Sequence, residues 1–66
     1  MKARELLNLG VPRGAPLHAA LAAVGAARKA GTDVRDLRRR LRALVDDPES
    51  FRDDPSFGEL ARAILN

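Results

Sequence analysis

Between Asp33 and Asp47 the chain reads DVRDLRRRLRALVDD, and Val34, Leu37, Leu41, Leu44 and Val45 return at spacings of three and four. That period is the mark of a helix with one buried face. At about 100° per residue, Arg35, Arg38, Arg39 and Arg42 gather on a second stripe beside the apolar one, because positions i, i+3, i+4 and i+7 are surface neighbours. One helix therefore supplies both core and charge.

Length sets the scale of everything around it. Sixty-six residues make one small domain, 1–66, in which apolar burial only narrowly exceeds conformational entropy. Alanine and leucine dominate, and both favour helix. Nothing reads as a strand. The expected fold is all-α, a compact bundle of four main helices plus one short helical turn. The chain has no cysteine, which excludes disulfides and thiolate metal sites as braces and fits an intracellular protein. No apolar run approaches the roughly 18 residues of a membrane span. The opening MKARELLNLG lacks the apolar centre of a signal peptide. The expected location is cytoplasmic, with no membrane partner.

Punctuation divides the chain. Residues 2–9 are expected to form a short helix with Leu6, Leu7 and Leu9 as core candidates, ended by Gly10 and blocked by Pro12. A second helix restarts at Gly14-Ala15-Pro16 and runs from about Ala15 to Ala30, since proline is tolerated in a first helical turn. Leu17, Ala20, Leu21, Val24 and Ala27 keep helical spacing there, and the other face is nearly all alanine. Gly25 would mark a close helix contact, and Gly31 ends the helix. Thr32 or Asp33 caps the arginine helix, which stops at or just before Asp46 and Asp47 because acids there oppose the helix dipole. A near-repeat follows, DDPESF and DDPSF. Each copy reads as an acidic cap with proline at the first helical position. The first would begin a single turn bearing Phe51. The second would begin a final helix, about Pro55–Leu65, with Phe57, Leu60, Ala61, Ile64 and Leu65 apolar.

The net charge of +3 conceals an asymmetry: residues 1–27, 28–42 and 43–66 carry +2, +5 and −4. A basic middle and an acidic tail can solvate themselves, attract an acidic partner, or neutralise each other across the fold. Catalysis is not expected. His18 is the only histidine, and with Ser50, Ser56 and Thr32 as the hydroxyls no nucleophile, base and orienting acid can be assembled. The acids Asp46, Asp47, Glu49, Asp53 and Asp54 lack the central glycine and closing glutamate of a calcium loop. They read as caps, so neither a metal nor another cofactor is expected.

The arginine stripe is the leading candidate site. A row of guanidiniums binds phosphates in pairs and releases counterions on doing so. The competing reading is a solvated face whose arginines pair with Asp36, Asp46 or the acidic tail. With no Tyr or Trp and both Phe residues expected in the core, base stacking is disfavoured, so contacts to a nucleic-acid backbone would dominate. A helix-turn-helix pattern fits Ala27, Gly31 and Leu37, but its next core position falls on Arg40. Arg13 and Gly14 form a second, minor candidate, because free N–H groups at a helix N-terminus attract anions; the alternative is an ordinary inter-helix turn.

The pattern Leu6-Leu7-x-Leu9-Gly10-Val11-Pro12-x-Gly14, then Leu17-x-x-Ala20-Leu21, resembles the small helical segment at the N-terminus of some RtcB-type RNA ligase homologues. The stretch from Asp47 to Ala61 is similar to the same region, so the resemblance spans most of the chain. The Gly10-x-Pro12-x-Gly14 turn behind a short helix also occurs in the helical tails of tRNA nucleotidyltransferases. Ligase chemistry in the first family belongs to a larger metal-binding domain with cysteine and several histidines, so no catalytic residue carries over. The resemblance implies an accessory module linked to RNA repair.

Two functional expectations follow. In the first, the chain is a non-catalytic accessory module that contacts RNA or another phosphate polyanion through Arg35, Arg38, Arg39 and Arg42, with Arg28 and Lys29 in support. In the second, Ala19, Ala22, Ala23 and Ala26 form a face that docks a protein partner or a second copy of the chain, being too apolar for a fully solvated surface and too small to anchor a core.

Overall fold

A computed structural model describes residues 1–66. The chain is all-α: α1 Ala3–Asn8, α2 Ala15–Lys29, α3 Val34–Asp46, a 3₁₀ turn at Pro48–Phe51, and α4 Gly58–Leu65. No helix is long and apolar enough to cross a membrane.

The first two helices end by the same device. Gly10 N–H bonds Leu7 C=O and Val11 N–H bonds Leu6 C=O; Gly31 and Thr32 do the same with Arg28 and Ala27. Each is a Schellman arrangement, which satisfies carbonyls that a helix end leaves open. It needs a left-handed residue, and Gly10 stands at φ 104°. A side chain at Gly10 would also meet Val45 Cγ1 at 3.0 Å, so the end of α1 lies hard against the end of α3. Asp33 rather than Thr32 caps α3, its carboxylate accepting from Arg35 N–H at 3.4 Å. α3 ends at Asp46, where the acids were expected to stop it.

The core is Leu6, Val11, Ala20, Val24, Leu37, Leu41, Leu44, Phe57, Leu60 and Ala61. α3 contributes three leucines to it, all fully buried. α2 contributes differently from expectation. Ala20 and Val24 are buried, Leu17 and Ala27 are half-buried, and Leu21 is 38% exposed. Leu21 lies about 100° round the helix from Ala20, so the line that faces inward is mostly alanine. That small-residue line lets α4, which makes the broadest contact with α2, approach closely. Gly25 marks no such contact: it is exposed, and nothing stands within 4 Å of where its side chain would begin.

The second acidic-proline repeat does not start a helix. Asp54 Oδ2 accepts from Ser56 N–H at 3.0 Å and from Phe57 N–H at 2.7 Å. That local side-chain turn replaces the first helical turn, and α4 begins only at Gly58. Gly58 is buried, and a Cβ there would meet the carbonyl oxygen of Arg52 at 2.9 Å. The backbone just after the 3₁₀ turn, at Arg52, and the start of α4 thus touch where only glycine fits. Phe57 is buried as expected, Phe51 is half-buried, and Leu65 at the far end of α4 is 43% exposed.

Candidate polyanion interface

α3 is held on two edges. One meets α1: Val45 faces Gly10, and Arg38 Nε is paired with Glu5 Oε2. The other meets α2 along Leu37 and Arg40, which line a recess with Ala27 and Ala30. On a helical projection these edges flank the buried Leu37–Leu41–Leu44 arc. The remaining surface carries Arg42, Arg35, Asp46, Arg39, Ala43 and Asp36 in that angular order. All six except half-buried Asp36 are exposed.

The four stripe arginines fall into two kinds. Arg35 and Arg42 make no ion pair with any carboxylate, while Arg38 and Arg39 do. Arg38 sits nearest the core and reaches Glu5, 33 positions away on α1, with the two side chains 51% and 34% exposed. Arg39 is paired within its own helix to Asp36, yet its side chain stays 80% exposed. Asp36 is shared: its other oxygen lies 3.3 Å from Arg40 Nε. The acidic C-terminal segment does not cover the row. Glu49 pairs with Arg52 at 2.9 Å, Asp47 accepts from the Ser50 hydroxyl, and Asp54 caps its own turn.

Exposed pairs of this kind contribute about 0–1 kcal/mol each and are screened by salt. A phosphate that accepts two parallel N–H bonds from a guanidinium replaces such a carboxylate at little cost. Arg35, Arg39 and Arg42 therefore form a usable row along one side of α3, while Arg38 ties α3 to α1.

Arg28 and Lys29 are exposed in the last turn of α2, where cations complement the helix dipole. They do not extend the row, because α2 packs on the Leu37–Arg40 edge, about 150° round α3 from the centre of the stripe. Arg13 and Gly14 are exposed at the start of α2, with Gly14 in the N-cap position. Pro16 lacks an N–H, so this helix end presents fewer donors than a usual one. The alanine face is not one surface. Ala19 and Ala22 line an open groove with His18, Glu59 and Ala63, whereas Ala23 and Ala26 line the recess beside Arg40.

Two participants were not singled out from sequence. Glu5 is the only acid in the first 32 residues, and no local pattern links it to Arg38. Arg40 stood only as a failed core position, although Asp36 four residues earlier is the ordinary spacing for a helical ion pair. Comparison with protein-family models, curated proteins and solved structures finds no match to this chain.

Proposed function

We propose that this chain is a non-catalytic helical accessory module that contacts a phosphate polyanion, RNA in the first instance, through one side of α3. The observation that carries the reading is the pair Arg35 and Arg42, neither of them neutralised within the chain. They stand seven residues apart, which places them about 10.5 Å apart along the axis and within about 20° of each other. Arg39, 80% exposed, lies between them. Arg38 acts as a structural tie rather than a first contact. With Phe57 buried and no Tyr or Trp, the recognised element is the charged backbone and not the bases. The resemblance of the opening leucine–glycine–proline pattern to an accessory region of RNA ligase homologues points to the same class of partner.

Fluorescence anisotropy of a labelled oligouridylate with the full chain tests this. Binding at low salt that weakens steeply as salt rises supports it. An oligouridylate that stays free at low salt ends it.

A second reading is self-association through the open groove that Ala19 and Ala22 share with α4. Exposed Ala22 on its wall and 38%-exposed Leu21 on the same helix favour it. Light scattering over a concentration series is its test: a mass that rises with concentration and returns to the monomer in Ala22→Glu supports it, and a monomer throughout removes it.

A further inference from the structure

The row on α3 is a ridge and not a channel. Arg35, Arg39 and Arg42 are exposed and share an arc of about 60° on a helix whose opposite side is fixed by three fully buried leucines. The three recesses in the molecule lie elsewhere, and none is walled by a row arginine. Neither aromatic ring is offered to the row: Phe57 is in the core and Phe51 is packed against it.

These features decide between the two forms a nucleic acid can take. A single strand is held by a basic groove that tracks its backbone and by aromatic platforms on which its bases stack. α3 supplies neither. A strand laid lengthwise on the row also runs out of partners, because exposed Asp46 stands in the same line one turn beyond Arg42. A duplex keeps its bases stacked within itself and needs only phosphate contacts to be held. It carries one charge per ~1.7 Å of axis, about twice the density of either strand, so a short ridge meets more phosphate. The spacing of Arg35 and Arg42, about 10.5 Å along the axis, is on the scale of a duplex groove, about 12 Å across in the B-form major groove. An A-form duplex presents its wide, shallow minor groove instead.

Resting on the polyanion reading above, we infer that the row takes the double-helical form of a nucleic acid. α3 lies across a groove, and Arg35 and Arg42 each bind a phosphate on one of the two flanking backbones. Arg39 adds a third contact between them. Asp46 then falls past the second backbone, where the cylinder curves away.

Fluorescence anisotropy with the full chain tests this, using a labelled RNA strand of adenines and cytosines, alone and annealed to its complement. At one low salt concentration the duplex is expected to bind roughly tenfold more tightly than the strand. Arg35→Gln with Arg42→Gln should reduce that preference to within about twofold. Arg28→Gln with Lys29→Gln removes the same charge away from the row and should leave the preference in place. The DNA duplex of the same sequence separates the two sources of a paired backbone. Binding within about threefold of the RNA duplex supports recognition of phosphates in either, and a preference for one assigns the row to that duplex. Equal or tighter binding of the single strand overturns the inference and leaves the polyanion reading standing. A preference that falls equally in both double variants reports bulk charge and overturns it too. Failure of strand and duplex alike to bind at low salt removes the polyanion reading itself, and the inference with it.

Discussion

The guanidinium of Arg38 on α3 is paired with the carboxylate of Glu5 on α1, across 33 positions of sequence. This contact joins the shortest α-helix to the most basic one, and it occupies with a carboxylate a group that would otherwise join the arginine row. α1 spans only six residues, too few to persist alone, so its place depends on Leu6 in the core, on its packing against α2, on Gly10 against Val45, and on this pair.

Glu5→Gln should therefore act in two directions. Loss of the charge pair should lower stability by no more than about 1 kcal/mol, since both side chains are partly solvated. Polyanion affinity at low salt should rise, roughly twofold to fivefold, as Arg38 is released. Urea unfolding and anisotropy on the same variant check both signs. An affinity that falls with the charge gain would show that Glu5 organises the site rather than masking part of it.

Gly58→Ala should be destabilising even though alanine is the better helix former. The added methyl meets the Arg52 carbonyl oxygen at 2.9 Å, a backbone atom that cannot swing aside. Position 58 is the first residue of α4, where the propensity gain is smallest. A loss of about 1–3 kcal/mol is expected from such overpacking, visible as a lower urea midpoint.

Asp54→Ala removes the acceptor for two backbone N–H groups, those of Ser56 and Phe57. A loss of about 1–2 kcal/mol follows from the capping role. Asp53→Ala, whose carboxylate takes part in no hydrogen bond or ion pair, is the control and should leave the thermal midpoint nearly unchanged.

Sequence carried the helices well where the period was strong and the punctuation was glycine. Leu37, Leu41 and Leu44 are buried as their spacing requires, and Gly10 and Gly31 close their helices as expected. It misled where two local rules compete. Asp54-Pro55 reads equally as a helix cap and as a side-chain turn, and the double acceptor at Asp54 decided for the turn. Leu21 stands partly exposed because the inward line of α2 runs through Ala20 and Val24, and Leu65 is the last residue of α4. Of the candidate site, the angular placement of Arg35, Arg38, Arg39 and Arg42 followed from the helix period alone. A pair with Asp36 was also expected, and Arg39 makes it; the Arg38–Glu5 pair was not, because its partners stand 33 positions apart and meet only in the folded chain.

The central claim is that Arg35, Arg39 and Arg42 meet phosphates as a row, and the salt dependence of oligouridylate binding tests it most directly. Each phosphate neutralised on a single strand adds about 0.7 to the slope of log affinity against log salt. Arg35→Gln with Arg42→Gln should therefore flatten the wild-type slope by about 1.4, while the melting temperature stays near that of the parent. An unchanged slope in the double variant would contradict the account.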